Sequence, residues 1–249
     1  MKHARVVQGG QAVAGIVEGD AIRLESGSAI PTAGAPLLAP MTPRQIIATH
    51  LSYRSRCEEY RMSPLPAHPS YFMKPLGAVS HHGAAVARPR GCRFLNYEGE
   101  IAVVIGRTCS NVAVDRALDY VKGYTAANDF GVHDFRHADR GSMFRVKGQD
   151  GFCPLGPFLV SAGDVDPDDL WLRTYVNDVL VQQAHTGSDM IFSIAYQIAD
   201  ISRFVTLEEN DVLLTGTPAN SRPVEPGDRV AVDISGIGRL ENTIVELER

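Results

Sequence analysis

The sequence lacks the features that mark nucleic-acid-binding and membrane proteins. Its 249 residues carry 24 Lys and Arg against 29 Asp and Glu, a formal net charge of −5 at pH 7, so the chain as a whole is not attracted to a phosphate backbone. No apolar run approaches the roughly 20 residues that a membrane-spanning helix needs, and the first five residues lack the apolar core of a signal peptide. We therefore expect a cytoplasmic protein that binds neither nucleic acid nor membranes.

Metal-binding cysteine motifs and nucleotide-binding motifs are also missing. The four cysteines show no Cys-x-x-Cys spacing, which predicts reduced, buried thiols and gives no indication of a zinc site. The sequence contains no Gly-x-Gly-x-x-Gly pattern, no phosphate loop and no Gly-x-Ser-x-Gly elbow. A nucleotide cofactor is therefore not supported, and neither is a serine nucleophile of the elbow type.

The composition is that of one large domain, or of one domain with a small appendage. Hydrophobic residues make up 44% of the chain and charged residues 21%, which is enough apolar material for a sizeable core. Residues 4–24 alternate short β-type runs with glycine turns, and a Ser-, Gly-, Ala- and Pro-rich stretch follows at 26–40. We expect a small N-terminal β unit with its linker over residues 1–40, and the main domain over residues 41–249.

A few helices are predicted within the main domain. Thr42-Pro43 is typical of a helix start, and residues 115–122 predict a short helix. Residues 188–204 predict the longest helix, with Ser188 as N-cap and an isoleucine stripe at helical spacing. Residues 51–75 contain several prolines and predict either a short helix in a mobile lid or a surface excursion.

The rest of the main domain reads as strands and turns. Residues 170–183 predict a hairpin with a two-residue turn at Asn177-Asp178. Residues 130–141 are dense in His, Asp and Arg of both charge signs, which favours a solvated turn for most of the segment, with a substrate-binding loop as the alternative. The predicted fold class is α+β, mainly β.

Two carboxylates separated by one residue precede a β-branched run. Glu98 and Glu100 should lie on one face of a strand, where their like charges repel unless a cation lies between them. Asp129, after a second apolar run, can supply a third oxygen. Such oxygens suit Mg²⁺ or Mn²⁺, and Gly99 between the two glutamates favours close approach of backbone or ligand. The alternative is a solvated pair at a strand end.

Four motifs in order resemble those of the fumarylacetoacetate hydrolase family: Tyr97-Glu98-Gly99-Glu100, Asn128-Asp129, Arg145-Val146-Lys147-Gly148-Gln149-Asp150-Gly151-Phe152-Cys153-Pro154 and Thr215-Gly216-Thr217-Pro218. The similarity covers roughly residues 46–245. It is greatest to bacterial enzymes of homoprotocatechuate degradation that decarboxylate and isomerise an unsaturated 2-oxo diacid. The resemblance implies a β-roll catalytic domain of this family's type within residues 41–249, and a homodimer.

Glu98, Glu100 and Asp129 are accordingly the expected ligands of Mg²⁺ or Mn²⁺. The natural substrate of such a site is a 2-oxo acid, whose keto group a bound cation polarises so that enolate charge is stabilised. Keto–enol tautomerisation, loss of CO₂ and hydrolytic C–C cleavage all follow from that chemistry. The residues of the metal site therefore do not distinguish between these three reactions.

The resemblance also assigns roles outside the metal site. It implies that Lys147, which we expect to approach from a neighbouring strand, is an active-site residue that neutralises the enolate or moves a proton. It implies that Thr217 contacts the substrate carboxylate. Gln149 is a third candidate for substrate binding, with a supporting hydrogen bond in a turn as the alternative. Without the resemblance, Lys147 would read as an ordinary surface lysine.

The lid departs from the pattern of the family's acylpyruvate hydrolases. Those enzymes carry a His-x-x-Glu dyad in which the histidine activates water, whereas the corresponding residues here are Arg56-Cys57-Glu58-Glu59. A guanidinium stays protonated and cannot serve as a general base. The substitution argues against hydrolysis and for tautomerisation or decarboxylation. We expect Arg56 to bind the distal carboxylate of a diacid and Glu59 to move a proton on and off carbon.

The sequence thus predicts a metal-dependent decarboxylase or isomerase of an unsaturated 2-oxo diacid in aromatic-compound catabolism. A hydrolase of acylpyruvates such as fumarylpyruvate, or an oxaloacetate tautomerase or decarboxylase, is the first alternative. A non-catalytic protein that binds metal or a 2-oxo acid is the second. Pyruvate or another short 2-oxo acid among the products would separate a hydrolase from the main hypothesis.

Overall fold

The structure, a computed structural model, describes residues 1–247 and is built mainly of strands. The last two residues of the predicted main domain, 248 and 249, lie outside the described residues. In chain order, the strands are β1 Lys2–Gln8, β2 Gln11–Glu18, β3 Ala21–Leu24, β4 Ala29–Pro31, β5 Ile46–His50, β6 Ser70–Lys74, β7 Val79–His81, β8 Ala85–Arg88, β9 Leu95–Asn96, β10 Gly99–Ile105, β11 Val121–Asn128, β12 Gly131–Val132, β13 Cys153–Ser161, β14 Trp171–Val176, β15 Val179–His185, β16 Val212–Leu214, β17 Arg229–Ile234 and β18 Gly238–Glu246.

These strands form two main sheets, together with a short pair made by β9 and β12. The large sheet has the order β4-β3-β2-β1-β13-β11-β10-β16-β5-β6, and β7 pairs with β13 beside this path. The second sheet has the order β15-β14-β17-β18-β8. The α+β, mainly β prediction is confirmed, and so is the hairpin, which β14 and β15 make around Asn177-Asp178.

The helices are short. They are α1 Arg54–Glu59, α2 Phe144–Lys147, α3 Thr186–Asp189 and α4 Ile194–Ile201. Single 3-10 segments occur at Leu76–Ala78, Val114–Tyr120, His133–Phe135 and Ala162–Asp164, and the second of them lies where the sequence predicts a short helix. Among residues 1–247, no helix is both long enough and apolar enough to cross a membrane.

The predicted helix at Thr42-Pro43 is wrong, because the chain there leads into strand β5. Residues 46–49 are all buried between β16, with which β5 pairs in parallel, and β6, with which it pairs antiparallel. A β-branched run enclosed on both sides favours a strand over a helix. Residues 70–74 of the predicted lid likewise form an edge strand, β6, while α1 supplies the short helix that was expected.

The predicted helix at 188–204 is interrupted. Met190 forms a β-bridge with Tyr53, and the Ile191 amide donates to the Ser52 carbonyl at 2.8 Å. This pairing with the start of the lid takes the backbone out of helical geometry. The true N-cap of α4 is Ser193, whose hydroxyl accepts a hydrogen bond from the Tyr196 amide. The apolar stripe survives, since Ile194, Ile198 and Ile201 are buried.

The N-terminal strands β1 to β4 extend the large sheet. They form the predicted meander, and β1 pairs with β13 of the main body. A small core of their own, formed by Ala4, Val6, Ile22, Leu24 and Leu37, fills their inner face. The division of the chain at residue 40 stays a prediction. The four cysteines are free and buried, as expected.

Strand β10 lies at the centre of the molecule and separates two apolar clusters. Its odd-numbered residues Ile101, Val103 and Ile105 pack with α4 and with the second sheet. Its even-numbered residues Ala102 and Val104 pack with β5, β16 and β13 on the opposite face. By strand alternation, Glu98 and Glu100 continue the even-numbered face.

Gly99, between the two glutamates, faces the second sheet. A Cβ atom built there would lie 2.1 Å from Thr174 Oγ1 and 3.3 Å from the methyl groups of Val232. The close approach that the sequence suggested is therefore made by strands β14 and β17, on the side of β10 that faces away from the carboxylates. Gly99 is required by packing between the sheets.

We predict that Gly99→Ala lowers the free energy of unfolding by about 1–3 kcal/mol, the usual cost of an added methyl group in a filled core. Gly163→Ala is the matched control, because a Cβ at Gly163 meets no atom within 4 Å and should change stability by less than about 0.5 kcal/mol. Urea unfolding followed by circular dichroism measures both. Equal midpoints for Gly99→Ala and the wild type would contradict the packing described here.

Candidate functional site

A cleft opens beside the start of β10, and we call it the main cleft. Its walls come from the end of β5, helix α1, strand β6, the β10 and β11 ends, the turn after β12, and helix α2. Most of these segments are distant from one another in sequence. The sheet order brings them together, because β10 neighbours β11 and β16, and β16 leads on to β5 and β6.

Three buried carboxylates form the floor of the main cleft, and we call Glu98, Glu100 and Asp129 the carboxylate triad. Antiparallel pairing places the start of β10 beside the end of β11, with Gly99 opposite Asn128. The Asp129 amide donates to the Glu98 carbonyl at 2.8 Å. One oxygen from each carboxylate lies within 4.8 Å of the other two. The residues expected to bind a metal are thus brought together.

Lys147 lies between two members of the triad. Its Nζ donates to Glu98 Oε2 at 2.5 Å and lies 3.0 Å from Asp129 Oδ2. A further hydrogen bond of 2.7 Å goes to the Asp129 carbonyl. Burial opposes the charge of Lys147, but the Asp129 and Glu98 carboxylates outweigh it and raise the pKa of the ammonium. The expectation that Lys147 comes from a strand is wrong, since it is the last residue of α2.

A second buried lysine, Lys74, also binds the triad, and the sequence reasoning missed it. Its Nζ donates to Asp129 Oδ1 and, at 2.7 Å, to the Lys147 carbonyl. Lys74 ends β6, in a stretch that the prolines had suggested was irregular. The available signal was strand alternation, which puts Phe72 and Lys74 on one face, and Phe72 lines the main cleft.

The three carboxylates are unequally supplied with positive charge. Burial raises the pKa of Glu98, but Lys147 and Arg56 outweigh it and bring the pKa down to about 2. Burial and the nearby Asp129 and Glu98 charges raise the pKa of Glu100 well above its ordinary range. The Glu100 side chain accepts a hydrogen bond from the Gly216 amide, at 2.7 Å, and no lysine or arginine among the described residues pairs with it.

This arrangement suits an additional cation. The candidate donors are all carboxylate oxygens, which hard divalent ions such as Mg²⁺ and Mn²⁺ prefer. Glu100 is the member of the triad that no lysine or arginine of the described residues pairs with. A divalent ion held by Glu98, Glu100 and Asp129 would supply that missing positive charge. The residues present therefore fit such an ion.

Helix α1 closes one side of the main cleft through Arg56. One guanidinium nitrogen of Arg56 donates to Glu98 Oε1 at 2.6 Å, and the other terminal nitrogen donates to Glu59 Oε2 at 2.7 Å. Glu59 in turn accepts from Arg222 at 2.9 Å and from the Asn220 amide at 3.3 Å. The lid helix is thereby tied both to the carboxylate triad and to the loop that follows Thr217.

The other two substrate-binding candidates lie in different surroundings. Thr217 lines the main cleft, and its hydroxyl accepts a hydrogen bond from Gln182 at 3.1 Å. The structure does not bring Gln149 to the carboxylate triad. The side chain of Gln149 donates to the Arg145 carbonyl at 2.9 Å and belongs to the turn after α2.

Two histidines line the main cleft in neutral form. Burial, and then the charge of Lys147, lowers the pKa of His133 to about 4, and burial lowers the pKa of His50 as well. The solvated-turn prediction for residues 130–141 is correct for the second half of that segment, where 135–138 and 140–141 are exposed, whereas 130–132 are buried. His133 and Arg136 are exceptions because both line the main cleft.

The sequence was compared with models of known protein families and with characterised proteins. The family model described as "Fumarylacetoacetate (FAA) hydrolase C-terminal" matches residues 45–245. A 4-hydroxyphenylacetate degradation bifunctional isomerase/decarboxylase of Salmonella dublin is 39% identical over 201 residues, which are 80% of this chain and 46% of that protein. The chain thus spans less than half the length of this relative.

Solved structures extend the similarity to the whole fold. A 5-carboxymethyl-2-hydroxymuconate delta-isomerase from Mycobacterium smegmatis is 35% identical and superposes with a TM-score of 0.90 over 100% of both chains. A maleylpyruvate hydrolase from Sphingobium sp. SYK-6, solved in complex with manganese(II) ion and pyruvate, is 29% identical with a TM-score of 0.84 over 99% of both chains. The match of sequence and fold shows that the chain belongs to the fumarylacetoacetate hydrolase family.

Proposed function

We propose that this protein is a divalent-metal-dependent isomerase or decarboxylase of an unsaturated 2-oxo diacid in aromatic-compound catabolism. The observation that carries the proposal is the buried carboxylate triad beside Lys147, under a lid helix that sets an arginine against it. Its relatives in Salmonella dublin and Mycobacterium smegmatis, named as an isomerase/decarboxylase and an isomerase, support the same reaction class. The homodimer that the family resemblance implies is part of the proposal.

Glu98, Glu100 and Asp129 are the residues that would hold the metal ion. Bound there, a divalent cation would polarise the keto group of a 2-oxo acid and stabilise negative charge on its oxygen. The manganese ion and pyruvate in the structure of the maleylpyruvate hydrolase support this choice of cofactor class and of substrate head group. Mg²⁺ and Mn²⁺ are both compatible with an all-oxygen donor set.

Lys147 supplies a fixed positive charge to the reaction. Its ammonium is buried, and the two carboxylates that it contacts keep it protonated. It therefore stabilises the negative charge that develops on the substrate when a proton or CO₂ leaves. Thr217, on the same cleft, orients the carboxylate of the 2-oxo acid in this proposal.

The lid governs which reaction follows. Arg56 occupies the position at which the related hydrolases carry the histidine that activates water, and a guanidinium does not accept a proton. Although burial opposes it, hydrogen bonds from Arg56 and others lower the pKa of Glu59, so Glu59 is ionised at neutral pH. We assign to Glu59 the transfer of a proton at the substrate carbon, a step that isomerisation needs and that requires no attacking water.

A C–C hydrolase of acylpyruvates is the second candidate. His133 lines the main cleft as a neutral imidazole, the form that can accept a proton from water. The fold similarity to a maleylpyruvate hydrolase favours the same alternative. In this case His133 would replace the histidine that is missing from the lid.

Incubation with 5-carboxymethyl-2-oxo-hex-3-ene-1,6-dioate and Mg²⁺ tests the reaction class. We expect loss of CO₂ or migration of the double bond, followed by NMR, and no change in the presence of a chelator. Release of pyruvate or another short 2-oxo acid would instead establish the hydrolase. If this compound stays unchanged, it is not the substrate, and acylpyruvates and oxaloacetate are the next compounds to test.

Glu100→Gln tests the metal site without relying on turnover. In the wild type, Mn²⁺ should raise the thermal unfolding midpoint, because a ligand that binds only the folded state stabilises it. The variant should lose that rise, with at least about a tenfold loss of Mn²⁺ affinity by calorimetry. Glu246→Gln, at an exposed strand end, is the control and should behave as the wild type. Equal Mn²⁺ affinities for Glu100→Gln and the wild type would remove Glu100 from the site.

Lys147→Met should lower kcat by about 100-fold or more, the scale of losing one preorganised charge in a water-excluded site.

Glu59→Gln should lower kcat by about 100-fold, as expected for losing a proton-transfer group. Lys122→Met, a partly exposed lysine paired with Glu209, is the control. Circular dichroism verifies folding. Wild-type turnover in both Lys147→Met and Glu59→Gln would show that the catalytic roles are wrongly assigned.

A further inference from the structure

A second cleft shares a wall with the main cleft, and we call it the side cleft. It lies between the lid helix, the turn after β12, and the loop at 221–222. Arg56, Tyr60, His133 and Arg136 line both clefts. Arg136 therefore lies on the same cleft wall as the carboxylate triad and also faces the side cleft.

Three arginines and one carboxylate, that of Glu59, line the side cleft, and two of the arginines are already engaged. Arg56 donates to Glu98 and Glu59, and Arg222 donates to Glu59. Arg136 has no carboxylate within salt-bridge distance among residues 1–247. Its one side-chain hydrogen bond in this region is a long contact of 3.4 Å to the Tyr60 hydroxyl. The remaining N–H donors of its guanidinium are therefore available to hydrogen-bond a ligand.

The Tyr60 ring fixes the position of Arg136 relative to the carboxylate triad. The guanidinium carbons of Arg56 and Arg136 each lie 4.9 Å from the centroid of that ring. Contact with an aromatic face holds a guanidinium plane in a defined orientation. Arg56 also contacts Glu98 at 2.6 Å. A chain of contacts through the Tyr60 ring and Arg56 therefore links Arg136 to the carboxylate triad.

The other basic groups at the clefts are poor candidates for binding an anion. Lys147 is held by Glu98 and Asp129. Burial keeps His50 and His133 neutral, because it lowers the pKa of both imidazoles. Arg56 has both terminal nitrogens committed to carboxylates of the protein. The distal group of a diacid therefore meets one uncommitted cation on the cleft walls that the structure describes.

We propose that Arg136 is the residue that binds the distal carboxylate of the substrate, in the place that the sequence suggested for Arg56. The inference rests on the proposed function, because it takes the substrate to be a 2-oxo diacid. A guanidinium matches a carboxylate with two parallel hydrogen bonds. Arg136 thereby selects diacids over 2-oxo acids that end in a methyl group, while the carboxylate triad and Lys147 act on the shared head group.

The test compares two saturated probes that differ at the far end only, 2-oxoadipate and 2-oxohexanoate. Calorimetry measures their binding to the Mn²⁺-loaded protein. We expect the wild type to bind 2-oxoadipate about tenfold or more tightly than 2-oxohexanoate, the scale of hydrogen bonds to a charged group. Arg136→Gln should bring this ratio to within about twofold and leave the affinity for 2-oxohexanoate unchanged, and Arg136→Lys should retain part of the preference.

Arg140→Gln is the matched control, an exposed arginine of the same turn that should keep the wild-type ratio. An unchanged ratio in Arg136→Gln, or a wild type without preference for 2-oxoadipate, would overturn the proposal. Because Arg136 is exposed, its replacement should leave the unfolding midpoint unchanged. The two proposals can fail separately. If Arg136→Gln abolishes the preference for 2-oxoadipate but the wild type does not turn over the unsaturated substrate, the role of Arg136 is supported and the proposed reaction is refuted.

Discussion

The burial of three carboxylates within 4.8 Å of one another is the constraint on which the site depends. Carboxylates removed from water at that spacing stay ionised only when positive charge is close. The fold supplies it from three directions: Lys147 from α2, Lys74 from the edge strand β6, and Arg56 from the lid helix. Glu100 accepts a hydrogen bond from the Gly216 amide and has no lysine or arginine partner among the described residues. Burial and the nearby Asp129 and Glu98 charges raise the pKa of Glu100, and the proposed divalent ion would supply the missing positive charge beside it.

The lid is a part of this charge balance as well as a cover. A histidine at position 56 would be free to lose its proton to solvent or substrate, whereas an arginine keeps its charge and stays paired with Glu98. The lid helix is therefore attached to the carboxylate triad by an ion pair with little exposure to water. Any displacement of this helix from the triad would separate these charges.

The sequence predicted those parts of the site that depend on local pattern. Strand alternation placed Glu98 and Glu100 on one face, and the order of the motifs brought in Asp129, Lys147 and Thr217. Lys74 was missed, and Arg136 was not singled out within the segment at 130–141, because their positions depend on contacts between distant segments, which leave no periodic signal in the chain. The same limit explains the errors in secondary structure: pairing with β16 and β6 made residues 46–50 a strand, and pairing with Ser52 and Tyr53 divided the helix predicted at 188–204.

Gly99 has a consequence for how the family's chemistry can diversify. The backbone that carries both glutamates rests directly on Thr174 and Val232 of the second sheet. The same sheet supplies Gln182, which accepts a hydrogen bond from the Gly99 amide and donates to the Thr217 hydroxyl. The second sheet therefore supports both the glutamates and Thr217 from behind. The lid helix and the turn at 133–140, by contrast, contribute side chains to both clefts without forming part of either main sheet. Evolution or protein design can therefore revise substrate choice at the front of the site while the rear keeps the carboxylate spacing constant.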